Sequence, residues 1–232
     1  MSNSHASESH ASDARTRILS RLRAAPPSPI PDRPEWTPPS YEPAQRLERF
    51  RTMFEAMKAE VHDVDAATWP QRLRALLDNR GVRSVLHGDG SSVGTQLASA
   101  WNSDPQAPRL VAYDRTVEEF KDDLVHRIDA GITWASAGIA ETGSLILWPT
   151  TREPRLMSLL PPIHIALVEE GCIRDNLPEL MVAQGWARRM PTNIVVVSGP
   201  SKTADIEQTL AFGVHGPKEL IVLVIRKPVT VG

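Results

Sequence analysis

Two hydrophobic periods alternate along this chain, and that alternation leaves few folds open. Val82-Arg83-Ser84-Val85-Leu86 is a short β-prone run directly after Gly81. The loop His87 to Ser92 leads into a segment of helical spacing that ends near Trp101. Arg109 to Tyr113 is again β-prone, and Val117 to Ile128 again helical. A strand shows its buried face at every second residue and a helix at about every 3.6, so each run suits one element only. The order strand, helix, strand, helix favours a parallel sheet with helices on its faces.

Further elements read on both sides, although the segment after Ile128 breaks the alternation. From Ala44, Leu47, Phe50, Phe54, Met57 and Val61 share one helical face, and Val61 to Val64 reads as a short strand. A helix is expected over Pro70 to Asn79, with Pro70 in its first turn, Gly81 at its C-cap and Leu73, Leu76 and Leu77 buried. Gly131 to Ala140 and Ser144 to Trp148, joined by Glu141-Thr142-Gly143, read as a β-hairpin or two adjacent strands. Ile163 to Val168 is a strand, Arg174 to Gln184 a helix despite Pro178, and Asn193 to Ser198 a fully buried strand. Ala204 to Phe212 reads as a short helix and Leu220 to Ile225 as the last strand. The expected fold is α/β, a mostly parallel central sheet with flanking helices.

The first 43 residues are of another kind. Ile18, Leu19 and Leu22 stand at helical spacing within Asp13 to Ala24, with Asp13 as a candidate N-cap. Then Pro26, Pro27, Pro29, Pro31, Pro34, Pro38, Pro39 and Pro43 follow, eight of the chain's 20 prolines. Proline removes an amide donor and fixes φ, so this stretch is extended. It is either a strap over the domain or a neighbouring subunit, anchored by Trp36 and Tyr41, or a mobile linker. The expected organisation is an N-terminal arm, 1–43, and one domain, 44–232; an extended arm also suits a homodimer.

Charge and cysteine content narrow the function. A net charge of -2 and a pI of about 6.4 supply no basic field for nucleic acid or an anionic membrane. No apolar run approaches the roughly 20 residues of a membrane helix, and Met1 to Ala14 lacks the apolar stretch of a signal peptide. Cytoplasmic residence is the expectation. The single cysteine, Cys172, can form no internal disulfide and cannot hold an iron–sulfur cluster, which takes about four ligands. No flavin or nicotinamide fingerprint and no metal-ligand spacing is present, so no cofactor is expected.

Five segments hold residue types suited to chemistry. Gly88-Asp89-Gly90-Ser91-Ser92 lies between a strand and a helix, where glycines admit a close ligand and Ser91, Ser92 and free amides can bind an anion. An ordinary turn with a serine N-cap reads the same way. Ser198-Gly199-Pro200-Ser201-Lys202-Thr203-Ala204-Asp205-Ile206-Glu207 follows a very apolar run, with Lys202 suited to an anion, Ser201 or Thr203 to capping a helix, and Asp205 and Glu207 to its positive end. Glu141, in Glu141-Thr142-Gly143-Ser144, is a carboxylate at a hairpin tip, suited to nucleophile or base. Pro161-Pro162 delivers His164 into a strand, where a structural role competes with a catalytic one. His215, in Gly213-Val214-His215-Gly216-Pro217, either lines a cleft or bonds to backbone.

Ala140 to Leu147, Ser158 to Ile165, Gly199 to Glu207 and Gly213 to Pro217, in that order, resemble the LUD domain family over roughly residues 44 to 226. The family pattern favours Thr where Ser144 stands and Arg where Lys202 stands; a lysine loses bidentate anion binding. The resemblance implies a fold like that of CoA-transferases and ribose-phosphate isomerase, with 88–92 as a phosphate-holding loop. It also implies a part in converting L-lactate to pyruvate beside iron–sulfur partner proteins. The expected function is that of an accessory subunit in lactate oxidation. The alternative is a CoA-transferase-like or sugar-phosphate isomerase-like enzyme that binds a phosphorylated or other small anionic ligand. In that alternative Glu141, His164 and Asp205 are catalytic, and Gly88, Gly90, Ser91, Ser92, Thr142, Gly143, Gly199, Ser201, Lys202, Thr203 and His215 bind the ligand. A sensor of carboxylates is a third, weaker reading, since no DNA-binding helix pair is present.

Overall fold

The structure, a computed structural model, describes residues 5–25, 35–190, 192–204, 210–212 and 216–226. The chain divides into two compact units, Met1–Thr37 and Pro38–Gly232. The first unit holds helix α1, His5–Ala24, which starts earlier than the expected Asp13 and leaves Ile18 and Leu22 exposed.

The second unit opens with α2 (Pro43–Ala56), β1 (Glu60–Asp65), α3 (Trp69–Asp78), β2 (Ser84–Gly88) and α4 (Ser92–Trp101). It continues with β3 (Arg109–Tyr113), α5 (Val117–His126), β4 (Ala130–Trp134), β5 (Ala137–Ile139), β6 (Ser144–Leu147) and α6 (Leu156–Leu159). Then come β7 (Ile163–Glu169), β8 (Ile173–Arg174), α7 (Leu177–Ala183), β9 (Val195–Val197), β10 (Lys202–Ala204), β11 (Leu210–Phe212) and β12 (Glu219–Arg226). Six strands form the central sheet in the order β1-β12-β7-β4-β2-β3, every pair parallel. The mostly parallel α/β architecture expected from the alternating periods is the one observed.

Parallel strands need crossovers, and these cover both faces of the sheet. On one face Trp69, Leu73 and Leu77 of α3 and Val93, Leu97 and Trp101 of α4 pack on Ile163, Ile165, Leu167, Ile221 and Leu223. On the other, Phe50 and Phe54 of α2 meet Ala166, Val168, Val222 and Val224. Beside them lies a second sheet, ordered β8-β5-β6-β9, whose Leu145 and Leu147 join the same cluster. Its far side is closed by Leu180 of α7 and by Trp186. Phe120 and Leu124 of α5 and Met157 of α6 cover the β2–β3 end.

Four expectations need correction. The described ends of the helix expected over Ala204 to Phe212 are strands: Ala204 pairs with Leu210, Thr203 with Ala211 and Lys202 with Phe212 in an antiparallel ladder, while 205–209 lie outside the described residues. Helix propensity in such a short stretch is a weak prior that pairing overrides. Asn193 to Ser198 is not a buried strand. β9 lies at an edge of the second sheet, where Val195 and Val197 join the core and Val196 is 57% exposed. The helix read from Arg174 starts at Leu177, because Ile173 and Arg174 pair with β5 and the Asn176 side chain caps the helix by accepting from the Glu179 amide. Pro178 then sits in the first turn, where its missing donor is harmless. Met57 and Val61 do not continue α2: Lys58 takes a positive φ and Val61 belongs to β1.

The stretch just before α2 is tied down. The Tyr41 amide donates to Asp175 at 3.0 Å, and the Arg46 guanidinium donates both to Asp175 and to the Tyr41 carbonyl. The Asn176 side chain donates to the Pro39 carbonyl at 2.9 Å. Burial works to raise the Asp175 carboxyl. The Arg46 and Tyr41 hydrogen bonds and the Arg46 charge outweigh it and hold the group below the usual carboxylate range.

The β5–β6 turn presses on α2. Gly143 has φ +59, and a Cβ there would lie 2.4 Å from the Met53 Cβ. Gly143→Ala therefore meets both left-handed strain and overpacking, and lowers stability by at least about 2 kcal/mol. The check is a urea midpoint that falls at unchanged m-value; an unaltered midpoint would show that α2 yields freely.

Candidate functional site

Segments far apart in the chain meet at the amino ends of β7 and β12. His164 is the second residue of β7 and pairs with Leu220 of β12 and Gly131 of β4. Over it stands the second sheet, and the register of β6 with β9 sets Leu145 against Val197, so Ser144 lies next to Ser198 one step on. Between them is a half-open crevice of about 160 Å³, lined by Ser158, His164, Val195, Val197, Ser198, Gly199, Ser201, Gly216, Pro217 and Leu220, among others.

His164 is 1% exposed. Its Nε2 lies 2.9 Å from the Thr133 hydroxyl of β4, while its Nδ1 has no hydrogen-bond partner among the described residues. Burial pushes the imidazole down to about 4, so it is neutral at ordinary pH. A chain of hydroxyls also reaches the crevice. Thr142 Oγ1 lies 2.8 Å from Ser144 Oγ, which lies 2.7 Å from Ser198 Oγ. Gly199, at φ +143, brings the chain against Met57, and the Ser201 amide donates to the Pro217 carbonyl at 2.8 Å. That bond ties the segment after β9 to the segment before β12.

The structure thus brings His164, Gly199 and Ser201 to one crevice, with Thr142 two hydroxyls away and Gly143 in the turn beyond it. Glu141 lies in the same turn but not on the lining. Its amide donates to the Asp175 carbonyl at 2.9 Å, and its own carbonyl accepts from Arg49 at 3.4 Å. Lys202 and Thr203 stand in β10, directly after the crevice segment. Asp205 and His215 lie outside the described residues.

The 88–92 loop is elsewhere. It leaves the carboxyl end of β2 at Gly88, two residues beyond Leu86, which aligns through Gly131 with His164, and none of 88–92 lines the crevice. Ser91 accepts from the Gly94 amide at 3.1 Å and caps α4, with Ser92 as the first helical residue. Gly90 takes φ +61, and a Cβ on Gly88 would lie 2.6 Å from Glu153 Cγ. Glu153, which the sequence did not single out, therefore packs on this loop. Burial pushes its carboxyl up, against the opposing effects of the Trp134 amide and His87. Ser144, Ser158 and Ser198 stand within the candidate segments, but the sequence does not single them out for ligand contact; strand register and the α6 turn bring Ser158 and Ser198 to the crevice and Ser144 next to Ser198. Among the described residues no group of three or more His, Cys, Asp or Glu could hold a metal, and no helix is long and apolar enough to cross a membrane.

Fold and crevice define an α/β protein whose candidate site lies between a parallel sheet and a smaller second sheet. The LUD domain model matches residues 47–225, and the chain belongs to the LUD domain family. It is 34% identical over 211 residues to a lactate utilization protein C of Macrococcus caseolyticus, covering 84% of this chain and 87% of that protein. An uncharacterized protein of Neisseria meningitidis serogroup B is 35% identical over 182 residues, 78% of this chain and 77% of its own. A crystal structure of a DUF162 family protein from Deinococcus radiodurans shares the fold. Its TM-score is 0.58 at 24% identity, over 80% of this chain and 99% of that one.

The neutral histidine has a pH signature. An unfolded histidine titrates near about 6.5, and His164 in the fold at about 4. Between those values the unfolded chain binds a proton that the folded chain does not. Stability is therefore complete above about 6.5 and falls as the pH drops towards 4, by about 3 kcal/mol in all. Urea unfolding of wild type and His164→Phe across this window should show a shallower slope in the variant; parallel curves would mean that His164 titrates alike in the folded and unfolded chains.

Proposed function

We propose that this protein is a lactate-utilization protein that supports oxidation of L-lactate to pyruvate as an accessory component, together with iron–sulfur partner proteins. The observation that carries this reading is the likeness to lactate utilization protein C over 84% of the chain and 87% of the relative. Lactate oxidation must deliver two electrons to an acceptor. With Cys172 as the only cysteine, this chain cannot itself supply a four-thiolate cluster, so the reading assigns the redox centres to the partners. The exposed Ile18 and Leu22 of α1, and Trp36, are apolar side chains suited to a partner surface.

Deletion of the gene should abolish lactate-dependent oxygen uptake by the cells, and the wild-type gene should restore it. Affinity purification of the restored protein should recover iron–sulfur proteins. Undiminished lactate oxidation in the deletion strain would end the lactate reading, and recovery of activity without any iron–sulfur partner would end the accessory role.

A further inference from the structure

The crevice has a chemistry of its own. Its lining consists of aliphatic side chains, hydroxyls and one imidazole, and among the described residues it contains no charged side chain. A group that enters it leaves water. An ion doing so without a countercharge meets a desolvation cost far above that of an uncharged polar group. The space is about 160 Å³, roughly the liquid volume of five waters, which suits a group of a few heavy atoms.

The polar atoms at hand are adaptable. Neutral imidazole has one donor and one acceptor nitrogen, and the contact with Thr133 decides which of the two Nδ1 is. If the threonine hydroxyl donates to Nε2, Nδ1 carries the proton; in the reverse case Nδ1 accepts. A buried polar atom without a partner is costly and uncommon in folded proteins, and His164 Nδ1 has none among the described residues. Ser198 is the last of three linked hydroxyls, and such a chain can reverse direction, so Ser198 can donate or accept. Val195, Val197 and Leu220 supply the apolar walls.

We propose that this crevice is a binding site for a small uncharged group bearing a hydroxyl or carbonyl oxygen, with His164 and Ser198 as its polar contacts, and that it rejects a free carboxylate. The site is independent of the lactate reading. Lactate itself is an anion, and what fits is an uncharged hydroxyl or carbonyl compound, such as the ester or amide of a hydroxy acid.

Acetone and acetate have nearly the same size and shape and differ in charge, which makes them a direct test. The full-length ¹⁵N-labelled protein is titrated near neutral pH with acetone, isopropanol and methyl lactate, and separately with acetate and L-lactate. Long-range ¹H–¹⁵N spectra report the ring nitrogens, and His164 is assigned by its loss in His164→Phe. The uncharged probes should move the His164 Nδ1 resonance saturably, and the two carboxylates should leave it in place. Ser198→Ala, which keeps the cavity, should weaken the best uncharged probe about fivefold. An Nδ1 resonance indifferent to every uncharged probe would mean that the crevice holds only water, and an equal response to acetate would overturn the charge argument. Neither result touches the deletion experiment, which reads lactate oxidation in cells.

Discussion

The structure depends on one strand buried on both faces. β7 lies between β12 and β4, with Ile163, Ile165 and Leu167 turned to the α3 and α4 helices and Ala166 and Val168 to the second sheet. Such a strand must be apolar along its length, because neither face meets water. His164 is the one polar side chain in the buried stretch Ile163 to Val168. Its place there forces a neutral imidazole, and the Thr133 hydroxyl satisfies only one of its two nitrogens.

The second sheet turns that isolated histidine into part of a site. Antiparallel pairing of β6 with β9 brings two serines that are distant in the chain to 2.7 Å from each other. The same sheet is held from outside by Asp175, whose carboxylate gathers the Tyr41 amide and the Arg46 side chain. One face of this small sheet thus shapes the crevice, while its margin secures the segment that leads into α2. The two roles share a scaffold, so the turn at Gly143, packed on Met53, bears on both.

The carboxyl end of the central sheet is a separate place. There the Gly88 to Ser92 loop caps α4 and is covered by Glu153, a carboxyl that burial makes harder to ionise. Open α/β folds generally hold ligands at that end, yet His164, Gly199 and Ser201 gather in a crevice at the starts of β7 and β12. The reason is local: the strands of the second sheet fold back over the starts of β7 and β12, and their closing segments supply the lining.

Much of this was legible in the sequence. The alternation of periods identified β2, α4, β3 and α5 and favoured a parallel sheet, and apolar runs marked β7 and β12, because burial on a sheet face or helix stripe leaves a mark on consecutive residues. His164, Gly199 and Ser201, candidates from their loops and breakers, meet in one crevice. What the sequence left open are features set by partners rather than neighbours. β9 reads as a buried run, yet lies at an edge; Ala204 and Leu210 to Phe212 fall in a stretch of helical composition, yet pair as strands. Ser144 and Ser198 are ordinary hydroxyls until register joins them, and Glu153 is an ordinary loop carboxylate until Gly88 lets it approach. Local periodicity determined which elements form and which faces they bury. Only the tertiary structure decided which polar atoms meet and which, like His164 Nδ1, are left unpaired, because a hydrogen bond depends on ångström-scale geometry that periodicity does not encode.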